Sequence, residues 1–357
     1  ASDIHIEPKE NNTLVRFRID GDLRNILTLE KNAGIKLTSR YKALGGLDIT
    51  EKRKPQDGVL AAVIDQRTFN LRLSTTSTPS GESMVMRILE PEVKPKELTE
   101  LGMTDEQTNM LIKAANRKAG LILIVGGTGS GKTTTIYSLL NKIDCETRSI
   151  MSVEDPVEYR IPFANQQQVN VKGGVTFDAL LKASVRQDPD VVLVGEMRDL
   201  ETMSAALTAA QTGHLVLSTI HTIDTVQTVT RIVDLFPPHQ QNQIRYMLAD
   251  TLKGVISQRL VPHLSGTGRV PAVEVLVVTP LVKKMIEENN LGEISGLIKQ
   301  GAYYGMQSFN QALMTMYNEK QVTLEEALNA ASNPEELMLA IRGIDSGNDS
   351  KSIFVDT

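Results

Sequence analysis

The stretch LILIVGGTGSGKTTTIYSLL, residues 121–140, constrains this chain more than any other. Five apolar residues, 121–125, read as a buried strand that runs into a glycine-rich turn and then a helical apolar pattern. The spacing Gly126, four residues, Gly131, Lys132, Thr133 fits a phosphate-binding loop. Glycines there let consecutive backbone N–H groups turn inward into an anion nest that side chains would block. The expected nucleotide-binding residues are Gly126, Thr128, Gly129, Ser130, Gly131, Lys132, Thr133 and Thr134. Lys132 reaches the β- and γ-phosphates, the Thr133 hydroxyl ligates Mg²⁺, and the helix directs its positive N-terminus at the anion. The predicted ligand is therefore a nucleotide phosphate with Mg²⁺.

At 357 residues and 39.2 kDa the chain exceeds one ordinary core, so two domains are expected. With 41% hydrophobic and 23% charged residues it reads as globular. The net charge is −5, distributed as +2 over residues 1–95 and −7 over the remainder. An acidic second half argues against a nucleic-acid partner. No apolar run approaches the length of a transmembrane helix. No signal peptide is visible, and the abrupt opening ASDIHIEP is compatible with a segment upstream. Cys145 is the single cysteine, which excludes an internal disulfide and a multi-cysteine zinc site, so no zinc is expected.

Residues 1–95 alternate like half-buried strands and predict a small α+β domain. In LVRFRID, Val15, Phe17 and Ile19 share one face; in TFNLRLST, Phe69, Leu71 and Leu73 do the same, and ESMVMRILE follows the turn PSGE. Residues 31–44 read as a helix ending at Gly45-Gly46. EPEVKPKEL, residues 90–98, carries the linker signal, and the linker is placed at 96–103. From 104 to 344 strands and helices alternate, the signature of a parallel α/β sheet, with core strands expected at 121–125, 149–153, 191–194 and 215–219. Beyond Phe236 the pattern is mostly helical, and Thr323 with Glu326 predicts a capping box. Residues 345–357 are polar and expected to be disordered.

Three further blocks bear on the phosphates. RQDPDVVLVGEMRD places Glu196 at the end of an apolar strand, where a carboxylate can hold Mg²⁺ through water or orient the attacking water. VEDPVEY packs Glu154, Asp155 and Glu158 after another core strand, with Pro156 fixing the turn. TGHLVLSTIHT puts His214 and His221 at the two ends of one strand, and a neutral imidazole near a γ-phosphate can sense it.

These blocks, in this order, resemble the secretion ATPase family that powers type II secretion and type IV pili. GGTGSGKTTT is similar to its Walker A, VEDPVEY to its Asp box, RQDPDVVLVGEMRD to its Walker B and TGHLVLSTIHT to its His box. SDIHIEP, RFRIDGDL and KPQDGV resemble its N-terminal PAS-like domain. The resemblance implies a PAS-like domain over 1–95 and a RecA-like P-loop ATPase domain over 104–344. It implies ATP and Mg²⁺ at Lys132 and Thr133, Glu158 as general base, Glu196 as the Walker B carboxylate, and His214 and His221 as catalytic. Arg72 and Arg87 would approach a nucleotide, often a neighbour's, although Arg87 fits a structural ion pair equally well. It implies a homo-hexamer acting on a membrane platform protein, cytoplasmic and peripheral at the inner membrane. SQRLVPHLSG continues without the tetracysteine insertion of the assembly and secretion branch, while ASDIHIEP and LSTIHT resemble that branch, so assembly and retraction both stay open. Two rival classes remain at this point. One is a DNA-translocating ATPase or helicase, and the other is a nucleotide-sensing subunit without turnover.

Overall fold

The computed structural model describes residues 1–19, 21–64, 67–89, 96–158, 160–170 and 173–343. The prolines of 90–95 and the expected tail at 345–357 lie outside them. The chain divides into two compact units, one of Ala1–Lys94 with Glu158–Arg160 and one of Pro95–Val157 with Ile161–Thr357.

The first unit is a six-stranded antiparallel sheet with one helix. Its elements are β1 (Asp3–Pro8), β2 (Asn12–Ile19), β3 (Asp22–Glu30), α1 (Lys31–Leu44), β4 (Gln56–Ile64), β5 (Arg67–Thr78) and β6 (Gly81–Leu89), in sheet order β3-β2-β1-β6-β5-β4. The two-residue alternation seen in the sequence sends Ile6, Leu71, Leu73, Met84 and Met86 to one buried face. Leu37 and Tyr41 of α1 pack on that cluster. The helix stops where Gly45-Gly46 predicts, with Leu47 N–H closing on the Lys42 carbonyl. One residue breaks the apolar rule. Lys42 is wholly buried, and its ammonium donates to the Glu51 carbonyl and to Glu82 Oε1, both at 2.6 Å.

The second unit is built on a seven-stranded sheet. Its elements are α2 (Asp105–Ala115), β7 (Gly120–Val125), α3 (Lys132–Leu140), β8 (Ile150–Glu154), β9 (Asn165–Gln168), α4 (Phe177–Ser184), β10 (Val191–Val194), α5 (Leu200–Gln211), β11 (Leu215–Ile220), α6 (Thr225–Asp234) and α7 (Pro238–Thr251). They are followed by β12 (Leu252–Pro262), β13 (Arg269–Val277), α8 (Pro280–Glu287), α9 (Ile294–Gln300), α10 (Phe309–Asn318), α11 (Leu324–Ala330) and α12 (Pro334–Ile341). The sheet order is β13-β12-β7-β11-β10-β8-β9, parallel throughout except for β13, which runs antiparallel to β12.

Strands β7, β8, β10 and β11 are buried along their whole length, as continuous apolar runs require when helices cover both faces. The predicted strands at 149–153 and 215–219 each extend or shift by one residue at the C-terminal end, because Glu154 pairs with Gln168 and Ile220 with Val125. The expected linker at 96–103 is corrected here. Leu98, Leu101 and Met103 are buried, residues Thr99–Leu101 form a 3-10 turn, and Thr104 caps α2. Thr323 caps α11 by accepting from Glu326 N–H, which is one half of the expected capping box.

Lys42→Ala should destabilise the first unit by about 3 kcal/mol, since it strands a buried Glu82 carboxylate. Urea unfolding followed on that unit checks this, and a loss under about 1 kcal/mol would show that the pair behaves like a solvated one.

Candidate functional site

β7 ends at Val125 and the chain turns over the edge of the sheet through residues 126–131 into α3. Gly126 is fixed by close approach, because a Cβ there would stand 2.4 Å from the Gln258 carbonyl oxygen and 2.5 Å from Ser130 Oγ. Gly131, at φ 91°, occupies the N-cap of α3 in the left-handed region, where glycine is favoured. It brings no side-chain cap. Helices α4, α5 and α6 are capped by Thr176, Asp199 and Asp224, so α3 alone among these four presents its first N–H groups without a side chain over them. An open helix N-terminus under a glycine loop is an anion site.

Lys132 is buried and curls over this loop, donating to the Gly126 and Gly127 carbonyls at 2.8 Å each. Burial lowers its pKa, and Glu196 works against that. Thr133 and Thr134 sit half-exposed on the first turn of α3, while Thr128 and Gly129 are exposed. Ser130 is buried, and its Oγ has no partner among the described residues. These residues fit a nucleotide phosphate. No cluster of three or more His, Cys, Asp or Glu side chains suited to a metal occurs among the described residues.

The parallel ladder brings the other groups to the same edge. β11 lies beside β7 and β10 beside β11, so the residues after Ile220 and Val194 emerge next to the loop. Three bonds tie the two strand ends together: Ser218 Oγ to the Val194 carbonyl (2.7 Å), Thr219 Oγ1 to the Gly195 carbonyl (2.7 Å) and Met197 N–H to the Thr219 carbonyl (3.0 Å). Beyond them, Glu196 Oε1 lies 3.0 Å from His221 Nε2 and Glu196 Oε2 lies 2.8 Å from Arg198 Nη2. The hydrogen bond to Glu196 raises the Arg198 pKa, with burial opposing it. His221 Nδ1 in turn lies 3.4 Å from Lys132 Nζ. Lysine, histidine, glutamate and arginine thus form one connected row along the phosphate loop.

The acidic turn behaves unevenly. Glu154 is buried and accepts from Tyr137 Oη, from Ser152 Oγ at 2.5 Å and from Gln166 Nε2 at 3.1 Å, so it braces α3 against β8 and β9. Asp155 is exposed. Glu158 is half-buried and groups with the first unit, not with the phosphate loop's unit. In the first unit, Arg72 and Arg87 are direct cross-strand neighbours on β5 and β6. Arg87 donates to Asp3 Oδ1 at 3.0 Å. Burial pushes the Asp3 carboxyl up, but the hydrogen bonds from Ser2 and Arg87 outweigh it and the group ends below its usual range. Arg87 is therefore an ion-paired residue in this chain. Arg72 is exposed, and no side-chain partner is seen for it among the described residues.

His214 lies apart from the row at the phosphate loop. It precedes β11 and its Nδ1 lies 3.0 Å from the Ala209 carbonyl at the end of α5. The strand's six residues, at about 3.3 Å each, separate it from His221 by roughly 20 Å. Two residues went unmarked in the sequence. Arg198 had a signal, a cation two places from Glu196. Gln258 had a weaker one, an uncharged polar side chain within an apolar strand, and it is fully buried with Oε1 accepting from Thr135 Oγ1 at 2.6 Å.

A strand, glycine loop and uncapped helix, with a carboxylate and an imidazole at the ends of the next two parallel strands, define a P-loop nucleotide-binding domain. Its relatives narrow the class. The profile described as "Type II/IV secretion system protein" matches residues 1–275, and the chain belongs to that family. It is 45% identical over 270 residues to the Type II secretion system protein HxcR of Pseudomonas aeruginosa, covering 76% of this chain and 56% of that protein. It is 36% identical to the Protein transport protein HofB homolog of Escherichia coli, covering 94% of this chain and 78% of that one. The chain thus spans little more than half the length of HxcR. Among solved structures it resembles the pilus retraction motor PilT with bound ADP at 34% identity and TM-score 0.73, covering 95% of both chains. The Legionella pneumophila ATPase DotB, at 22% identity and TM-score 0.75, shares the fold.

Gly126→Ala and Gly127→Ala should separate packing from openness. The first drives a methyl into the Gln258 backbone and should cost about 2 kcal/mol or more of stability together with most nucleotide affinity. The second meets nothing within 4 Å and should fold normally. Thermal melts with and without ADP check both, and equal behaviour of the two variants would show that the loop does not rest on β12.

Proposed function

We propose that this chain is an ATP-hydrolysing motor of type II secretion or type IV pili. The observation that carries the reading is the row Lys132–His221–Glu196–Arg198 beside an open α3 N-terminus. Lys132 leaves the loop carbonyls to neutralise the β- and γ-phosphates, and the N–H groups of residues 126–131 with the start of α3 receive their oxygens. The Thr133 hydroxyl, and Glu196 through water, would hold Mg²⁺, which would supply positive charge to the phosphates when bound. His221, between Glu196 and Lys132, would register the γ-phosphate. Arg198 holds one oxygen of the Glu196 carboxylate and orients it. Glu158, carried over from the resemblance, is the proposed general base.

The same resemblance supports a homo-hexamer that docks on a membrane platform protein, with Arg72 supplied to a neighbouring subunit's nucleotide. No helix among the described residues is long and apolar enough to cross a membrane. A net charge of −7 outside the first 95 residues disfavours a DNA track.

Lys132→Ala should nearly abolish nucleotide binding. Glu196→Gln should bind normally yet cut turnover at least ~100-fold, about 2.7 kcal/mol of barrier. Phosphate release by both variants at close to the wild-type rate would remove this site from the reaction.

A shared site makes activity depend on assembly. Arg72→Ala and Glu196→Gln subunits should each be nearly inactive alone, since an arginine acting on the transferred phosphoryl is worth about 10³ or more. Mixed rings can pair an intact Glu196 with an intact Arg72, so ATPase activity should partly return on mixing. Rings shown to mix without recovery would exclude Arg72 as the donor.

A further inference from the structure

His221 stands on a four-residue connection, 221–224, between β11 and α6. Its ring is nearly half exposed and its polar partners are Glu196 and Lys132, so its place depends on how the connection is held. The entry is tied to β10 through Thr219. The exit is fixed where Glu274 Oε1 accepts from both Thr225 N–H (2.9 Å) and Thr225 Oγ1 (2.8 Å), and where Asp224 caps α6. The middle is held by β12. The Ile223 carbonyl, two residues from His221, accepts from Arg259 Nη2 at 3.1 Å and from Ser257 Oγ at 3.2 Å.

Arg259 is itself held from the other side. Its guanidinium lies 3.9 Å from the ring centroid of Phe309, the wholly buried first residue of α10, and its Nη1 donates to the Ala330 carbonyl at the end of α11 at 2.6 Å. Burial lowers the Arg259 pKa, while Glu274 and Asp224 draw the positive charge in. One planar, forked cation therefore joins the histidine's connection to the C-terminal helices. A lysine cannot do this, having a single point charge and no face to stack. The neighbour on β12, Gln258, points instead to the phosphate loop through Thr135, so consecutive residues of one strand serve two regions of the site separately.

We propose that Arg259 is the positioning residue for His221, setting the imidazole against Glu196 and Lys132 from an anchor on Phe309 and Ala330. The kinetic consequence rests on the ATPase reading above; the placement does not. Arg259→Gln should lower kcat about 10-fold or more and leave KM for ATP and ADP affinity within about three-fold, because the phosphate loop is held through Gln258. Arg259→Lys should behave alike, and Phe309→Leu should fall between. In a His221→Ala background, Arg259→Gln should add less than about two-fold.

A readout free of turnover uses the His221 ring resonances, assigned among the chain's five histidines by His221→Ala. Glu196→Gln should shift them in the wild-type background and leave them nearly unmoved once Arg259 is Gln. The proposal is overturned if Glu196→Gln moves the His221 signals equally in both backgrounds. It is overturned too if Arg259→Gln turns over like wild type, or if the His221 and Arg259 losses simply add. A wild-type chain without ATPase activity would sink the functional reading, and the resonance test would still decide the placement.

Discussion

The phosphate loop rests on a backbone contact between Gly126 and the carbonyl of Gln258 on β12, too close for any side chain to intervene. Five residues of β12 run parallel to β7 beneath it, from Leu252 opposite Leu121 to Ser257 opposite Val125. That pairing sets where the loop leaves the sheet and hence where α3 begins. On the other side of β7, β11 ends in register with it, Ile220 opposite Val125. Parallel strands in register deliver their C-terminal ends to one edge, so the phosphate loop, Glu196 and His221 meet without any long connection having to reach them.

Electrostatics within that edge is arranged in series. Lys132 is buried at a cost to its charged form, and Glu196 is the acid that offsets it. Glu196 commits one oxygen to His221 and the other to Arg198, which leaves the carboxylate with no freedom to rotate away from the loop. Hydrogen bonds to an ionised partner are roughly twice as strong as neutral ones, so removing Glu196's charge loosens both neighbours at once. Glu154, at the end of the adjacent strand β8, has a different role. Three donors converge on it in a buried position, and it acts as a structural brace between α3 and the strands β8 and β9.

Much of this was legible in the residues. Continuous apolar runs identified β7, β8, β10 and β11, two-residue alternation identified the strands of the first unit, and the Lys31–Leu44 helix ends at its glycine pair. The phosphate loop and Glu196 could be read because motif spacing and strand end coincide. What could not be read depends on partners distant in sequence. Lys42 looks like an ordinary helix-surface lysine until Glu82, forty residues on, is folded against it. His214 and His221 look equivalent, yet a parallel strand has one end at the site and one end away from it. Arg87 interrupts an apolar pattern in the way a functional arginine would, and only the Asp3 pairing across β1 and β6 gives it a local reason. The acidic trio could not be sorted either, since burial of Glu154 and exposure of Asp155 follow from where β8 stops pairing.

The buried polar atoms around the loop carry a further physical lesson. Ser130 Oγ and Gln258 Nε2 are both buried without a hydrogen-bond partner among the described residues. Each such atom costs about 1–3 kcal/mol, whereas apolar replacements of similar shape would be neutral or stabilising. Both lie at the loop: a Cβ on Gly126 would meet Ser130 Oγ at 2.5 Å, and one on Gly131 would meet Gln258 Nε2 at 3.0 Å. On the proposed function, a loop that receives phosphate oxygens as Lys132 leaves the Gly126 and Gly127 carbonyls would have to exchange hydrogen bonds. Donors held in reserve beside Gly126 and Gly131 give the loop somewhere to put them. The stability lost at these two atoms is therefore located where that proposed function would change the bonding, and Gln258 is tied to α3 through Thr135.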